Sequence, residues 1–119
     1  MTKVLLADDS GTMRKIIIRS LNAVGVTDVV EAADGEEGSK LFTNGGFDVV
    51  LTDWNMPIKS GLEMAKEIRA LGSDVPIIMI TTEGEKSRII EAIQAGVSDY
   101  LLKPFDSDAL RAKLEKHCC

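Results

Sequence analysis

Long apolar runs, dispersed cysteines and a surplus of basic charge are all missing from this 119-residue chain. No stretch approaches the roughly 20 apolar residues of a membrane span. The start Met1-Thr2-Lys3 leads at once into Val4-Leu5-Leu6-Ala7-Asp8-Asp9, too short and too soon acidic for a signal peptide. A cytoplasmic protein with no membrane partner is the expectation. The two cysteines, Cys118 and Cys119, are adjacent at the C-terminus, where they staple nothing across a fold and lack zinc-ligand spacing. His117-Cys118-Cys119 reads as a frayed tail. Fourteen Lys and Arg stand against nineteen Asp and Glu, a net charge of −5. That balance argues against a nucleic-acid partner, whose phosphates need a basic face, and leaves protein surfaces as partners.

What is present is 45% hydrophobic residues, enough for one core and one domain over residues 1–119. Val4-Leu5-Leu6-Ala7, Val49-Val50-Leu51-Thr52 and Ile77-Ile78-Met79-Ile80 are short continuous apolar runs, the pattern of strands covered on both faces. Val29-Val30 and Tyr100-Leu101-Leu102 read as two weaker strands. Between them lie helical spacings: Met13, Ile16, Ile17, Leu21, Val24; Leu41 with Phe42; Leu62, Ala65, Ile68, Leu71; Ile89, Ile90, Ile93; and Leu110 with Leu114. Asp34 with Glu37, and Ser60 with Glu63, mark helix starts, while Gly25, Gly72 and Gly96 mark stops. Thr82 with Glu85 spells a capping box for the fourth helix.

Five β-α alternations predict an α/β fold: a doubly wound, five-stranded parallel sheet with helices on both faces and right-handed crossovers. The leading strand order is 2-1-3-4-5, the flavodoxin-like arrangement, with ligand chemistry at the carboxyl ends of the strands where the order reverses. Asp8 and Asp9 follow the first strand and Asp53 follows the third. In that order these strands are neighbours. Each Asp alone is ordinary at a helix start or a turn, but three crowded carboxylates need a compensating cation. Mg²⁺ suits such a set of hard oxygen ligands.

Lys103, just before Pro104, adds an ammonium at the same edge, and Thr81, closing the fourth strand, adds a hydroxyl. In isolation the first reads as a surface lysine and the second as a helix cap. Together with the carboxylates they make a phosphoryl-transfer site: cations spread the charge of the transferring group while Asp53 attacks in line to form an acyl phosphate. The lone histidine, His117, lies in the tail, so the phosphoryl donor is expected to be another molecule.

Asp8-Asp9-Ser10, Met13-Arg14-Lys15, Asp53-Trp54-Asn55-Met56-Pro57, Gly61, Thr81, Ala95-Gly96, Tyr100 and Lys103-Pro104-Phe105 together resemble the receiver domain of two-component response regulators, along the whole chain. The Asp-Trp-Asn-Met-Pro and Met-Arg-Lys runs are most similar to those of the chemotaxis regulators. A chemotaxis regulator is itself a standard example of the 2-1-3-4-5 order, so that expectation is not independent of the resemblance.

The resemblance implies Asp53 as phosphoacceptor, Asp9, Asp53 and the Asn55 carbonyl as direct Mg²⁺ ligands, and Asp8 as a ligand through water. It implies Lys103 beside the phosphoryl group, a cis Lys103-Pro104 bond, and Thr81 with Tyr100 as a switch pair. That pair would alter the face of the fourth helix, fifth strand and fifth helix. The implied partners are a histidine kinase as donor and a downstream protein such as a flagellar motor switch protein. The chain would act as a signalling receiver that assists its own phosphorylation and dephosphorylation. Asn55, Thr82 and Glu83 would line the water's approach and tune the lifetime. Thr82 departs from the Ala, Gly or Ser usual in receivers, and Glu85 is acidic where the chemotaxis regulators are basic.

A haloacid-dehalogenase-type phosphatase also uses an aspartate nucleophile, Mg²⁺, a hydroxyl and a lysine. It needs a general-acid Asp two residues after the nucleophile, and here Asn55 stands there. A flavin carrier of the same sheet order would hold a phosphate after strand one, where Asp8 and Asp9 repel it. A module that works without phosphorylation is the third reading, favoured only if the acidic pocket binds no metal.

Overall fold

The computed structural model describes residues 2–118, with side chains through His117. Its elements alternate without exception: β1 (Lys3–Ala7), α1 (Gly11–Ala23), β2 (Asp28–Ala32), α2 (Gly35–Gly45), β3 (Val49–Thr52), α3 (Gly61–Ala70), β4 (Ile77–Thr81), α4 (Lys86–Gln94), β5 (Asp99–Leu102) and α5 (Ser107–Cys118). The strands form one parallel sheet in the order β2-β1-β3-β4-β5, as expected. Among the described residues no helix is long and apolar enough to cross a membrane.

Two-residue strand periodicity explains the unbroken apolar runs. Leu5, Ala7, Val50, Ile77 and Met79 face a core shared with Met64, Ala65, Ile68 and Ala92 from α3 and α4. Their alternates Val4, Leu6, Val49, Leu51, Ile78 and Ile80 face a second core with Ile17, Leu21, Leu110 and Leu114 from α1 and α5. Each large aliphatic side chain so buried contributes roughly 1.5–3 kcal/mol, and the buried polar residues of these strands, Thr52 and Thr81, stand at their carboxyl ends. Ile16, Leu71, Ile90 and Ile93 are nonetheless exposed. On α4 the residue pressed to the sheet is Ala92, and a helix of 100° per residue then turns Ile90 and Ile93 away from it.

The caps at α2 and α3 fall where the sequence placed them. Asp34 accepts from Glu37 N–H at 2.7 Å, and Ser60 and Glu63 form a reciprocal capping box at 3.1 Å each way. Gly25, Gly72 and Gly96 follow α1, α3 and α4 with positive φ. Two expectations need correction. Helix α4 starts at Lys86 with Glu85 as its N-cap and no side-chain capping bond, so Thr82 caps nothing. The Thr81 hydroxyl instead accepts from Glu83 N–H at 3.3 Å, holding residues 81–83 in a turn that delays the helix. Nor is His117 frayed: it lies in α5 and its Nε2 is 2.9 Å from Asp99 Oδ2, which anchors the last turn. Met1, Cys119 and the Cys118 side chain lie outside the described residues.

Candidate phosphoryl-transfer site

Register brings the carboxylates together. Ala7 pairs with Thr52 across β1 and β3, so the next residues, Asp8 and Asp53, leave the sheet side by side. Asp53 N–H donates to Ala7 C=O at 2.9 Å and Asp8 N–H to Ala32 C=O at 3.1 Å, extending the ladder one step past the strands. Carboxylate oxygens of Asp8, Asp9 and Asp53 lie within 4.8 Å of one another, with Asp8 buried, Asp53 half-buried and Asp9 exposed.

The neighbouring strand pair delivers the cation. Thr81 pairs with Leu102, and Lys103 N–H donates to Thr81 C=O at 2.9 Å. From there Lys103 Nζ reaches Asp8 Oδ2 at 2.9 Å and Asp53 Oδ2 at 3.0 Å. Burial alone would lower the Lys103 pKa, yet its hydrogen bonds and charge attraction to Asp8 and Asp53 hold it above the ordinary lysine value. The ammonium is therefore charged throughout the physiological range. It offsets one of three negative charges, and the remaining donors are hard oxygens, so the residues fit a divalent cation. The Lys103–Pro104 peptide is cis.

Backbone donors hold the two inner carboxylates. Trp54 N–H donates to Asp53 Oδ1 at 2.6 Å and Ser10 N–H to Asp8 Oδ1 at 2.9 Å. Gly61 lies against the Asp53 carbonyl so closely that a Cβ there would collide with it. Its N–H closes the β3–α3 loop on Trp54 C=O at 2.9 Å. Asn55 stands exposed on that loop, and Thr82 is exposed in the β4–α4 loop.

Thr81 is 1% exposed at the end of β4. Tyr100 pairs with Met79 in the sheet, and its hydroxyl donates to the Glu83 carbonyl. Burial first, then the charges of Glu83 and Asp53, push the Tyr100 phenol up to about 12, so it remains a donor. Sequence reasoning missed Arg14 in detail: its Nη1 donates to the Asp8 carbonyl at 2.6 Å and its Nε to Glu31 at 2.9 Å, tying β1 to β2 beneath the site. It also missed Arg88 on α4, whose guanidinium lies over the Trp54 ring, 5.4 Å from the centroid. Neither contact has a local spacing signal.

Comparison with known proteins agrees with this geometry. Residues 4–115 match the family described as response regulator receiver domain. Chemotaxis protein CheY1 of Helicobacter pylori is 48% identical over 116 residues, covering 95% of this chain and 94% of that protein. A chemotaxis protein CheY homolog of Campylobacter jejuni is 49% identical, covering 95% and 89%. Among solved structures, Vibrio cholerae chemotaxis protein CheY4 superposes with a TM-score of 0.91 at 34% identity, over 98% of each chain. A Francisella response regulator receiver domain gives 0.90 at 31% identity, over 98% and 95%. With carboxylates, lysine and strand order in agreement with a family match over nearly the whole chain, this protein belongs to the response regulator receiver domains.

Proposed function

We propose that this chain is a chemotaxis response regulator, one receiver domain over residues 1–119, that accepts a phosphoryl group on Asp53 from a histidine kinase and then binds a downstream protein such as a flagellar motor switch protein. The observation that carries the reading is Lys103, which bridges Asp8 and Asp53 with an ammonium at 2.9 and 3.0 Å. Asp8, Asp9, Asp53 and the Asn55 carbonyl would hold Mg²⁺, which when bound neutralises charge on the transferring group. A carboxylate oxygen of Asp53 is the attacking atom, and Lys103 stabilises the oxygens that gain charge. The Trp54 N–H on Oδ1 keeps the carboxylate oriented during approach.

Thr81 and Tyr100 form the switch. Both now bond to the backbone of one residue, Glu83. A phosphoryl group on Asp53 would accept the Thr81 O–H, drawing the hydroxyl off Glu83 N–H and so biasing the loop, Tyr100 and the α4-β5-α5 face. Receiver domains are signalling proteins. The chain assists its own phosphorylation and dephosphorylation through the same residues, with Asn55, Thr82 and Glu83 lining the water's path. It works in the cytoplasm.

The test is direct. Incubation with acetyl phosphate and Mg²⁺, borohydride trapping and peptide mass spectrometry should place the acyl phosphate on Asp53. Undiminished labelling in Asp53→Asn would overturn the assignment.

A further inference from the structure

The Asp8–Asp9 peptide joins two of the three clustered carboxylates and belongs to no strand or helix. The Asp8 carboxylate is held by Ser10 N–H and Lys103, and that of Asp53 by Trp54 N–H and Lys103. Among the described residues no such donor reaches the exposed Asp9 carboxylate. Its direction is therefore set by its own backbone, and the contact that fixes that backbone comes from Arg14.

Arg14 stands at the end of the first turn of α1, where helical side chains lean back toward the N-terminus. There its Nη1 donates to the Asp8 carbonyl at 2.6 Å and its Nε to Glu31 Oε1 on β2 at 2.9 Å. No other donor meets that carbonyl among the described residues. A planar guanidinium that serves two acceptors at once cannot swing without breaking one of them, so the peptide is held in rotation as well as in place. A helix N-terminus disfavours a cation, and this turn of α1 carries no acidic residue to offset one. The helix alone gives no reason for Arg14, whereas the carbonyl between the two carboxylates does.

Arg14 also brings positive charge to a cluster that suits a cation, and by charge alone it weakens metal binding. Positioning works the other way, because Mg²⁺ demands near-ideal octahedral geometry and a misdirected ligand costs affinity. The two effects have opposite signs, which makes them separable. We propose that Arg14 is a positioning residue for the metal: it fixes the Asp8–Asp9 peptide so that the Asp9 carboxylate is aimed before the ion arrives. This rests on the reading of Asp9 as a Mg²⁺ ligand.

The experiment titrates Mg²⁺ into wild type, Arg14→Lys and Arg14→Ala, followed by calorimetry and Trp54 fluorescence, with circular dichroism showing each protein folded. Arg14→Ala should raise Kd for Mg²⁺ about tenfold. Arg14→Lys keeps the charge but loses the fork, and should raise Kd in the same direction; it carries the test if Arg14→Ala does not fold. In an Asp9→Asn background Arg14→Lys should add little, since the carboxylate it aims is gone. Acetyl-phosphate labelling of Arg14→Lys should lag at limiting Mg²⁺ and draw level at saturating Mg²⁺. Wild-type affinity in both variants overturns the proposal and leaves Arg14 a tie between β1 and β2. Tighter binding by Arg14→Ala also overturns it, and assigns the residue an effect of charge alone. A fully additive loss in the Asp9→Asn background overturns the route through Asp9. Wild type that binds no Mg²⁺ sinks the reading of the acidic cluster as a metal site, and the proposal with it.

Discussion

Asp99 illustrates how a single carboxyl group can be tuned far from the chemistry. Burial alone would raise its pKa, but hydrogen bonds from Lys113, His117 and the Tyr100 N–H outweigh it and bring the group down to about 2 from 3.8. A lowered folded-state pKa adds stability that is complete above the unfolded value and is lost as pH falls through the folded one. Urea unfolding of wild type against Asp99→Asn should therefore show a constant advantage above about pH 5 that shrinks between about pH 4 and 2. Thr82 offers a residue-scale test of a different kind. Thr82→Ala removes bulk beside the proposed water path, so acetyl-phosphate labelling and dephosphorylation should both quicken, with less effect on transfer from a kinase whose docking supplies binding energy. Phosphate-release and labelling rates equal to wild type would take Thr82 off that path.

Among the elements α4 is held least firmly. It has no side-chain cap and buries only Ala92, so the Arg88 guanidinium over Trp54 carries an unusual share of its attachment. A cation–π contact of this exposure contributes about 0.5–1 kcal/mol. Arg88→Ala should then speed amide exchange in α4 roughly two- to fivefold, read by mass spectrometry, with Arg88→Lys intermediate. Elements were largely legible in the sequence where one local rule decided them: unbroken apolar runs for β1, β3 and β4, and short-range caps for α2 and α3. The start of α4 was not, because the Thr82–Glu85 spacing obeys the capping rule while Thr81 spends its hydroxyl on Glu83 N–H. The same division runs through the site. Asp8, Asp9, Asp53 and Lys103 stand at strand ends and could be read from topology. Arg14 to Asp8, Arg88 to Trp54 and His117 to Asp99 join residues whose meeting only tertiary packing decides.

For the whole molecule the question is how a charge change at one sheet edge reaches the face proposed to bind a partner. A phosphoryl group shifts that equilibrium only as far as it favours one arrangement over the other. Thr81→Ala should thus accept phosphate at Asp53 but lose most of the phosphorylation-dependent gain in partner affinity, measured by titration of the protein held phosphorylated in acetyl phosphate or with a beryllofluoride mimic. Wild-type coupling in that variant would route the signal elsewhere. The connection between Thr81 and Tyr100 runs through the backbone of one residue, since the hydroxyl of one accepts the N–H of Glu83 and the hydroxyl of the other donates to its C=O. Wiring of that kind is blind to side-chain identity: Glu83→Ala should keep the coupling, and Glu83→Pro, which deletes the N–H, should break it. Residue 83 can therefore drift in sequence and reset the lifetime of the signal without erasing the signal itself.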